Sequence, residues 1–494
     1  MTSPVFKITS SLLSIDKNST EPVYLQIANQ LMTLIREGRL QAGRRLPGTR
    51  QLADLMNVHR KTVVQAYEEL LMQGWLESRT GSGTYVARQL PDLKPQQLVQ
   101  NNDVPNPVKT AGFSFDPLPH LNVAVILSNH KYHLDDGFPD ARLAPVEELA
   151  RAYRAQLLTG NPYMRLGYSD TRGSVLLRQV LSSYLNDTRG LTTTPENILI
   201  TRGTIMGLHL ACTALLKPGD LVVTGEMNYH GANMNVKQAG AQLLKIPVDE
   251  NGMVVDELET ICRKQPVRMV YVTSHHNYPT TVAMSAERRV DMLQLAAQYG
   301  FIVFEDDYDY DFHYLGKPLF PLASADRAGM VLYCGSFSKT ISPAFRVGYL
   351  VGSENVIGYL AQLRRIIDRQ GDVVLENAIA VLMQSGIIQR HLRKALRTYK
   401  QRRDLFCQLL CNELGNYVQF KAPDGGMAVW TQFNKSIDLP WLAQEALKQE
   451  LYFSNGSLHN SPTKNVNATR LGFASSTPEE LERSVGIIAG LLKR

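Results

Sequence analysis

The spacing of apolar residues predicts a small helical unit in the first 88 residues. Ile27, Leu31, Leu34 and Ile35 lie on one face of an amphipathic helix that Gly38 ends. A Pro-Gly turn precedes a short helix in "TRQLADLM", and another helix follows in "HRKTVVQAYEELLMQ". The segment "LESRTGSGTYVA" predicts two short strands around a glycine-rich tip. Helix, helix-turn-helix and two-stranded wing, in this order, predict a winged helix-turn-helix.

From about residue 120, short apolar runs alternate with helical patterns. The runs "ILIT", "LVVTG", "RMVYVTS", "FIVFEDD" and "GMVLYCGS" predict strands, and "SAERRVDMLQLAAQYG" predicts a helix with Ser285 as N-cap and Gly300 as C-cap. Such alternation predicts an α/β fold with a mostly parallel sheet. Ligands of such folds bind at the carboxyl ends of the strands.

A proline-containing stretch separates the two patterns. We therefore predict a winged helix-turn-helix domain at 1–88, a semi-extended linker at 89–119 and an α/β domain at 120–494. At 494 residues the chain is too long for one compact core, which agrees with this division.

Charge and composition indicate the kind of partner and the cellular compartment to expect. The net charge is +6, and residues 1–88 hold 11 Lys and Arg against 7 Asp and Glu, so most of the excess lies there and favours an anionic partner. The sequence has no apolar run of membrane-spanning length and no signal-peptide layout, so we expect a cytoplasmic protein without a membrane partner. The five cysteines have no metal-ligand spacing, and we expect no metal site.

The second helix of the helix-turn-helix begins with residues suited to DNA. Arg60 can donate two hydrogen bonds to a guanine, and Lys61 and Thr62 can hold phosphates beside His59. These positions matter because the N-terminal residues of a recognition helix meet the base edges. The alternative is a helical oligomerisation module with a solvated charged face.

Three further residues complete the predicted DNA surface. Arg50 begins the preceding helix and is placed for a backbone phosphate, while Gly81 and Gly83 let the wing approach the groove closely. The whole segment "LPGTRQLADLMNVHRKTVVQAYEELLMQGWLESRTGSGTYV" resembles the GntR-type winged helix, although "PGTR" stands where that family commonly has a serine.

Candidate cofactor-binding residues follow the strands of the predicted sheet. Asp306 follows "FIVFE" and Lys339 follows "MVLYC", and a helix that can bind phosphate opens after "ILITR". The residues available for a phosphate are Gly203, Thr204, Ser336 and Arg346. Each feature alone also fits a plain strand cap or a solvated lysine. Together they supply what pyridoxal 5′-phosphate (PLP) needs: a lysine for a Schiff base, an acid for the ring nitrogen and a phosphate cradle.

From about residue 135 the chain resembles a fold-type I aminotransferase, and as a whole it resembles the bacterial regulators of the MocR/GabR type. The matching motifs are "LGYSDTRGSVLLRQVLSSYL", "ITRGTIMGLHLACTALLKPGD", "HHNYPTTVAMSAERR", "EDDYDYDF", "GSFSKTISPAFRVGYL" and "RLGFA". The resemblance implies a head-to-tail homodimer that binds operator DNA and PLP. It also implies an effector that is a small amino compound or PLP itself.

The same resemblance implies a role for each matching residue. Lys339 would form the Schiff base, Asp306 would pair with the ring nitrogen and Tyr308 would bond the cofactor's O3′. The implied phosphate ligands are again Gly203, Thr204, Ser336 and Arg346.

Three more roles follow from the resemblance. Tyr229 would stack on the pyridine ring, Tyr168 would reach the phosphate of the neighbouring subunit, and Arg470 would bind an effector carboxylate. The alternatives stay open: Tyr168 and Tyr229 also fit ordinary half-buried core positions, and Arg470 also fits a structural ion pair.

These features favour a PLP-dependent transcription regulator over two rivals. One rival is a working aminotransferase with a DNA-binding arm, and the other is a scaffold whose large domain only dimerises the chain. Tyr278 precedes Pro279 where true aminotransferases commonly have the asparagine that contacts O3′, which favours a sensor over an efficient enzyme. Residual transaminase chemistry stays compatible with the sequence.

Overall fold

The computed structural model describes residues 13–16, 19–91, 109–121, 130–316, 318–460 and 466–493. These fall into two compact units, divided between Ser114 and Phe115. Residues 92–108 of the predicted linker lie outside the described part of the chain. No helix in the described ranges has the length and apolarity needed to cross a membrane.

The first unit is the predicted winged helix-turn-helix. Its elements are α1 (Val23–Arg36), α2 (Thr49–Met56), α3 (Arg60–Met72), β1 (Leu76–Arg79) and β2 (Gly83–Val86). The two strands pair antiparallel. All four residues predicted for the apolar face of α1 (Ile27, Leu31, Leu34 and Ile35) are buried in one core with Leu52 and Val63 of the other two helices. The core therefore fixes how α2 and α3 cross, which sets the surface that α3 presents.

The second unit is α/β, as predicted. Its helices are α4 (Val146–Leu158), α5 (Pro162–Leu166), α6 (Val175–Arg189), α7 (Thr204–Leu215), α8 (His230–Gln238), α9 (Val255–Lys264), α10 (Ala286–Tyr299), α11 (Leu322–Ala325), α12 (Glu354–Arg365), α13 (Val373–Gln384), α14 (Ile387–Leu414), α15 (Leu439–Leu447) and α16 (Pro478–Leu492). Its strands are β3 (Tyr132–Leu134), β4 (Ile198–Thr201), β5 (Leu221–Gly225), β6 (Gln242–Ile246), β7 (Val248–Asp249), β8 (Gly252–Met253), β9 (Met269–Val272), β10 (Ile302–Asp307), β11 (Val331–Ser336), β12 (Gly348–Val351), β13 (Val418–Phe420), β14 (Ala428–Phe433), β15 (Leu451–Phe453) and β16 (Ala468–Gly472).

Seven strands form the main sheet, in the order β4-β12-β11-β10-β9-β5-β6. Only β12 runs antiparallel to its neighbours β4 and β11, while the other pairings are parallel. The prediction of a mostly parallel sheet is confirmed. Because most strands run in one direction, β5, β9, β10 and β11 bring their carboxyl ends to the same edge of the sheet.

Buried side chains on both faces explain why the strands are uniformly apolar. Val303 packs into a core with α6, α10 and α13, whereas its neighbour Phe304 packs into another core with α7, α8 and α12. A strand buried on both faces needs an apolar residue at every position. A third core lies around the small sheet β13-β14-β16 and the helices α14 and α16.

Candidate functional site

A cavity of about 270 Å³ opens at the carboxyl ends of the main-sheet strands. It brings together residues that are far apart in the sequence. Six of its lining residues were predicted as site residues: Thr204, Tyr229, Asp306, Tyr308, Lys339 and Arg470. Five were not predicted: Asp136, Phe138, Tyr271, Thr273 and Tyr278.

Lys339 enters the cavity three residues beyond β11. Its Nζ donates a hydrogen bond of 2.6 Å to the carbonyl oxygen of Gly137 and lies 4.7 Å from the centroid of the Phe138 ring. Burial lowers the pKa of the Lys339 ammonium, and the nearby Asp136 carboxylate offsets part of this effect. A lowered pKa increases the fraction of neutral amine, the form that attacks a carbonyl carbon.

Asp306 is the next-to-last residue of strand β10 and is 5% exposed. Its Oδ2 accepts a hydrogen bond of 2.8 Å from the Tyr271 hydroxyl, while Oδ1 is buried and has no hydrogen-bond partner among the described residues. Burial raises the pKa of this carboxyl to about 7. A buried acceptor without a donor is costly, so the position suits a ligand that brings a positively charged N–H group.

The start of α7 forms a close cradle beside the cavity. Gly203 has φ +81°, and a Cβ atom there would lie 2.7 Å from Nη2 of Arg346. The same Nη2 donates to the carbonyl oxygen of Arg202 at 3.0 Å. Ser336 is bonded to Ser338 through their hydroxyls at 2.8 Å. Ser336 and Arg346 are not among the residues that line the cavity, whereas Thr204, the first residue of α7, is.

Tyrosines form another wall of the cavity. The rings of Tyr229 and Tyr278 meet edge to face with centroids 5.6 Å apart. The Tyr308 hydroxyl donates to the carbonyl oxygen of His276 at 2.9 Å, and burial raises its pKa. All three rings line the cavity, so each is placed to contact a planar ligand.

Arg470, on β16, is buried at the cavity wall. Its Nε lies 2.8 Å from Oδ1 of Asp136, and its guanidinium lies 4.9 Å from the centroid of the Tyr278 ring. Nη1 donates to the carbonyl oxygen of Pro279 at 3.4 Å. The contact with Asp136 is the kind of ion pair that the sequence left open as an alternative role. It nevertheless leaves the guanidinium on the cavity lining.

Tyr168, another predicted cofactor residue outside the cavity lining, is exposed to solvent. Its side chain is 78% exposed, and the Arg369 guanidinium lies 4.0 Å from the centre of its ring. It does not line the cavity of its own chain. Its predicted contact with a neighbouring subunit stays a prediction.

The first unit exposes the residues predicted for DNA. His59 caps α3, because its Nδ1 accepts a hydrogen bond from the Lys61 amide at 3.2 Å. Nε of Arg60 lies 3.5 Å from Oγ1 of Thr49, at the start of α2. Arg50, His59, Arg60 and Lys61 are exposed, and Thr62 is half-buried.

The wing turns through its glycines. Gly81 and Gly83 have φ values of +71° and +116°, which residues other than glycine rarely adopt. A Cβ atom on Gly83 would lie 3.2 Å from Nε of Arg45. Arg45 is therefore a further cation beside the wing, and sequence analysis missed it.

The sequence could have identified some of the unpredicted lining residues but not others. Tyr271 belongs to β9 and Thr273 follows it, so the strand-end rule that found Asp306 would also find them. Asp136 and Phe138 come from a loop about two hundred residues from Lys339 in the chain, and sequence periodicity does not bring such segments together.

The first unit has the fold of a winged helix-turn-helix, and the sheet and cavity of the second unit are those of an aminotransferase-like domain. Comparisons with protein families agree. Residues 131–488 match the model of aminotransferase class I and II, and residues 23–86 match that of the bacterial regulatory proteins of the gntR family. The chain belongs to the aminotransferase class I and II family and carries a gntR-type domain before it. The predicted fold class, cofactor and resemblance to MocR-type regulators are thereby confirmed.

Relatives with both parts are regulators by name. The chain is 29% identical over 482 residues to the probable rhizopine catabolism regulatory protein MocR of Rhizobium meliloti, covering 96% of this chain and 94% of that protein. It is 28% identical to the HTH-type transcriptional regulator TauR of Rhodobacter capsulatus, covering 93% of this chain and 94% of that protein.

Solved structures match the second part of the chain. The Pyrococcus horikoshii kynurenine aminotransferase, solved in complex with PMP, kynurenine and its product, aligns with a TM-score of 0.70 and 26% identity over 77% of this chain and 97% of that one. An archaeal alanine:glyoxylate aminotransferase aligns with a TM-score of 0.69 and 28% identity, covering 73% of this chain and 90% of that one.

The residues in the cavity fit PLP. The buried Oδ1 of Asp306 needs a donor, and the glycine at position 203 keeps the start of α7 clear of a side chain. Lys339 supplies a primary amine in the same cavity. These three features would supply the acid, the phosphate cradle and the lysine that PLP needs.

Proposed function

We propose that this chain is a PLP-dependent, DNA-binding transcription regulator whose aminotransferase-like domain binds a small amino compound, or PLP itself, as effector. The observation that carries the proposal is the presence of both parts in one chain. Exposed cations stand at the start of α3, and the cavity keeps Lys339 and Asp306. Relatives that match over nearly the full length are named as transcriptional regulators.

The cavity residues would hold PLP in the following way. When bound, PLP supplies an aldehyde that reacts reversibly with amines. Asp306 would face the ring nitrogen, Tyr229 the ring and Tyr308 the O3′. Gly203, Thr204, Ser336 and Arg346 would hold the phosphate. The lowered pKa of Lys339 favours the neutral amine that this chemistry requires.

An effector can regulate only if it binds two states of the protein with different affinity. An amine bound next to Lys339 would change the contacts of Nζ with Gly137 and Phe138. Arg470 is the cavity cation available for an acidic group on the effector. We propose that these contacts give the effector different affinities for the two states of the protein.

A homodimer is part of the proposal, and an exposed apolar helix supports it. In α5 the exposed fractions of Tyr163, Met164 and Leu166 are 87%, 77% and 64%, and Tyr168 follows at 78%. A contiguous exposed apolar patch is typical of a protein interface. We propose that this segment meets a second copy, where Tyr168 would approach the partner's phosphate site. A dimer would place two winged helices on two half-sites.

A working aminotransferase is the second candidate. It is favoured by Lys339, Asp306 and Tyr308, which all line the cavity as catalysis would require. Tyr278 occupies the cavity wall beside Pro279, where the sequence lacks the asparagine common in true aminotransferases. The scaffold alternative is disfavoured because a purely structural domain has no need of a half-buried lysine in a cavity beside a buried carboxyl oxygen that has no partner among the described residues.

The proposal is tested by selecting DNA from a random pool with the full-length protein. The affinity for the selected sequence is then measured with and without PLP, across a panel of amines and amino acids. We expect one ligand class to change the affinity at least about tenfold, that is about 1.4 kcal/mol. Multiple turnover of an amino acid with a keto acid, without any effect on DNA binding, would instead support the aminotransferase.

A further inference from the structure

Asp136 and Arg470 form a close but poorly aligned ion pair on the cavity wall. Oδ1 of Asp136 lies 2.8 Å from Nε of Arg470, yet neither atom has a hydrogen-bond partner among the described residues. The groups are therefore held together by charge, without the aligned N–H···O geometry of a strong carboxylate–guanidinium pair. A second carboxylate that approached with better alignment would satisfy Arg470 more fully.

The two partners differ in burial. The Arg470 side chain is 3% exposed, whereas that of Asp136 is 38% exposed. A buried guanidinium needs an anion beside it, but a partly exposed carboxylate can turn to water at lower cost. Asp136 is therefore the replaceable member of the pair. Its Oδ2 accepts a hydrogen bond of 2.7 Å from Tyr278, which holds the carboxylate over the cavity.

The pair changes what the cavity can bind. With Asp136 in place, the charge of Arg470 is already neutralised before any ligand arrives. A ligand carboxylate is attracted by Arg470 and repelled by Asp136, and close like charges oppose binding. A ligand without an acidic group does not meet this conflict.

We propose that Asp136 is a specificity-determining residue that competes with the acidic group of an amino-acid ligand for Arg470. This inference rests on the proposed function, because it concerns an amino compound bound next to Lys339. A ligand acid that displaces Asp136 also moves the loop that contains Gly137, whose carbonyl oxygen accepts from Lys339. The segment Asp136–Gly137 thus links the binding of a ligand acid at Arg470 to the hydrogen bond of Lys339.

The test compares two ligands that differ only at the far end. Both 4-aminobutyrate and butylamine carry a primary amine on a short chain, but only the former has a carboxylate. Their affinities for PLP-loaded, full-length protein are measured by calorimetry for wild type, Asp136→Asn and Asp187→Asn. Asparagine keeps the shape of Asp136 and removes its charge. Asp187 is exposed in α6 and does not line the cavity, so Asp187→Asn controls for net charge.

We expect Asp136→Asn to bind 4-aminobutyrate about tenfold more tightly than wild type, while butylamine stays within about twofold. Asp187→Asn should match wild type for both ligands. Unchanged or weaker binding of 4-aminobutyrate by Asp136→Asn, or an equal change for both ligands, would overturn the inference. Binding of neither ligand by any of the proteins would overturn it as well.

A second measurement separates this inference from the proposed function. Butyrate is titrated into PLP-free wild type and Asp136→Asn, so the competition for Arg470 is measured without the cofactor. Tighter butyrate binding by Asp136→Asn supports the inference even if the protein fails to retain PLP, a failure that would count against the proposed function alone. Equal butyrate affinity would overturn the inference and leave the proposed function standing.

Discussion

Lys339 and Gly137 are 202 positions apart in the chain, yet Nζ of the lysine donates a hydrogen bond of 2.6 Å to the glycine carbonyl. This contact links the cavity lysine to the segment that follows β3 in the second unit. The same segment contributes Asp136, which pairs with Arg470, and Phe138, whose ring lies 4.7 Å from Nζ. Any ligand that engages the lysine or the arginine therefore acts on one short stretch of backbone.

The phosphate cradle is tested by a pair of glycine substitutions. Gly203 and Gly219 both have a positive φ, at +81° and +88°, but only at Gly203 would a Cβ atom meet the Arg346 guanidinium, at 2.7 Å. Alanine should cost about 1–3 kcal/mol of stability at either site because of the strain that a side chain meets at a positive φ. Only Gly203→Ala should also weaken PLP binding, by about tenfold or more, as measured by equilibrium dialysis. Equal PLP affinity in the two variants would show that the cradle lies elsewhere.

Asp306 gives the PLP-free protein a defined dependence on pH. Its pKa is raised from 3.8 to about 7 by burial, so between these values the folded chain keeps a proton that the unfolded chain has lost. The stability contributed by the protonated form is present below about pH 4 and is lost as the pH rises through 7. Without PLP, Asp306→Asn should therefore be more stable than wild type at pH 8, by on the order of 4 kcal/mol.

Urea unfolding at pH 5 and pH 8 measures this effect. The advantage of Asp306→Asn should shrink at pH 5, and saturating PLP should stabilise wild type more than the variant. An advantage of the same size at both pH values, or a loss of stability at pH 8, would contradict the assigned burial cost.

Two neighbouring cations at the start of α3 should affect DNA binding differently. Arg60→Ala should weaken binding to the selected site by about 1–3 kcal/mol and relax base preference at one position, because Arg60 is placed to contact a base. Lys61→Ala should weaken binding to all sequences and reduce the salt dependence by about one phosphate contact. Fluorescence anisotropy at several salt concentrations distinguishes the two. Unaltered base preference in Arg60→Ala would mean that another residue contacts the bases.

The proposed dimer interface is tested with charges on α5. Met164→Asp should convert a dimer to monomers in sedimentation, because a carboxylate would be buried without a partner in an apolar interface. Met72→Asp is the matched control, since Met72 is 86% exposed on the other unit. Dissociation in both variants, or in neither, would show that α5 does not form the dimer interface.

Much of the site was predictable because strand-end chemistry follows from the order of elements. Asp306, Lys339 and Gly203 come directly after or at the end of apolar runs, and a parallel sheet brings such ends to one edge. Asp136 could not be found in this way, because its loop meets the cavity through tertiary packing alone. Arg470 was predicted only from the family resemblance, and its partner emerged from the structure.

Chemical trapping is the most direct measurement of whether PLP binds covalently to Lys339. Purified full-length protein is incubated with PLP, reduced with borohydride, digested and mapped by mass spectrometry, with Lys339→Ala as the control. We expect PLP to be recovered on Lys339 in wild type and on no single lysine in the variant, with both proteins folded. Folded wild-type protein that carries no PLP on Lys339 would contradict it, because the cavity would then have no covalent means of sensing an amine.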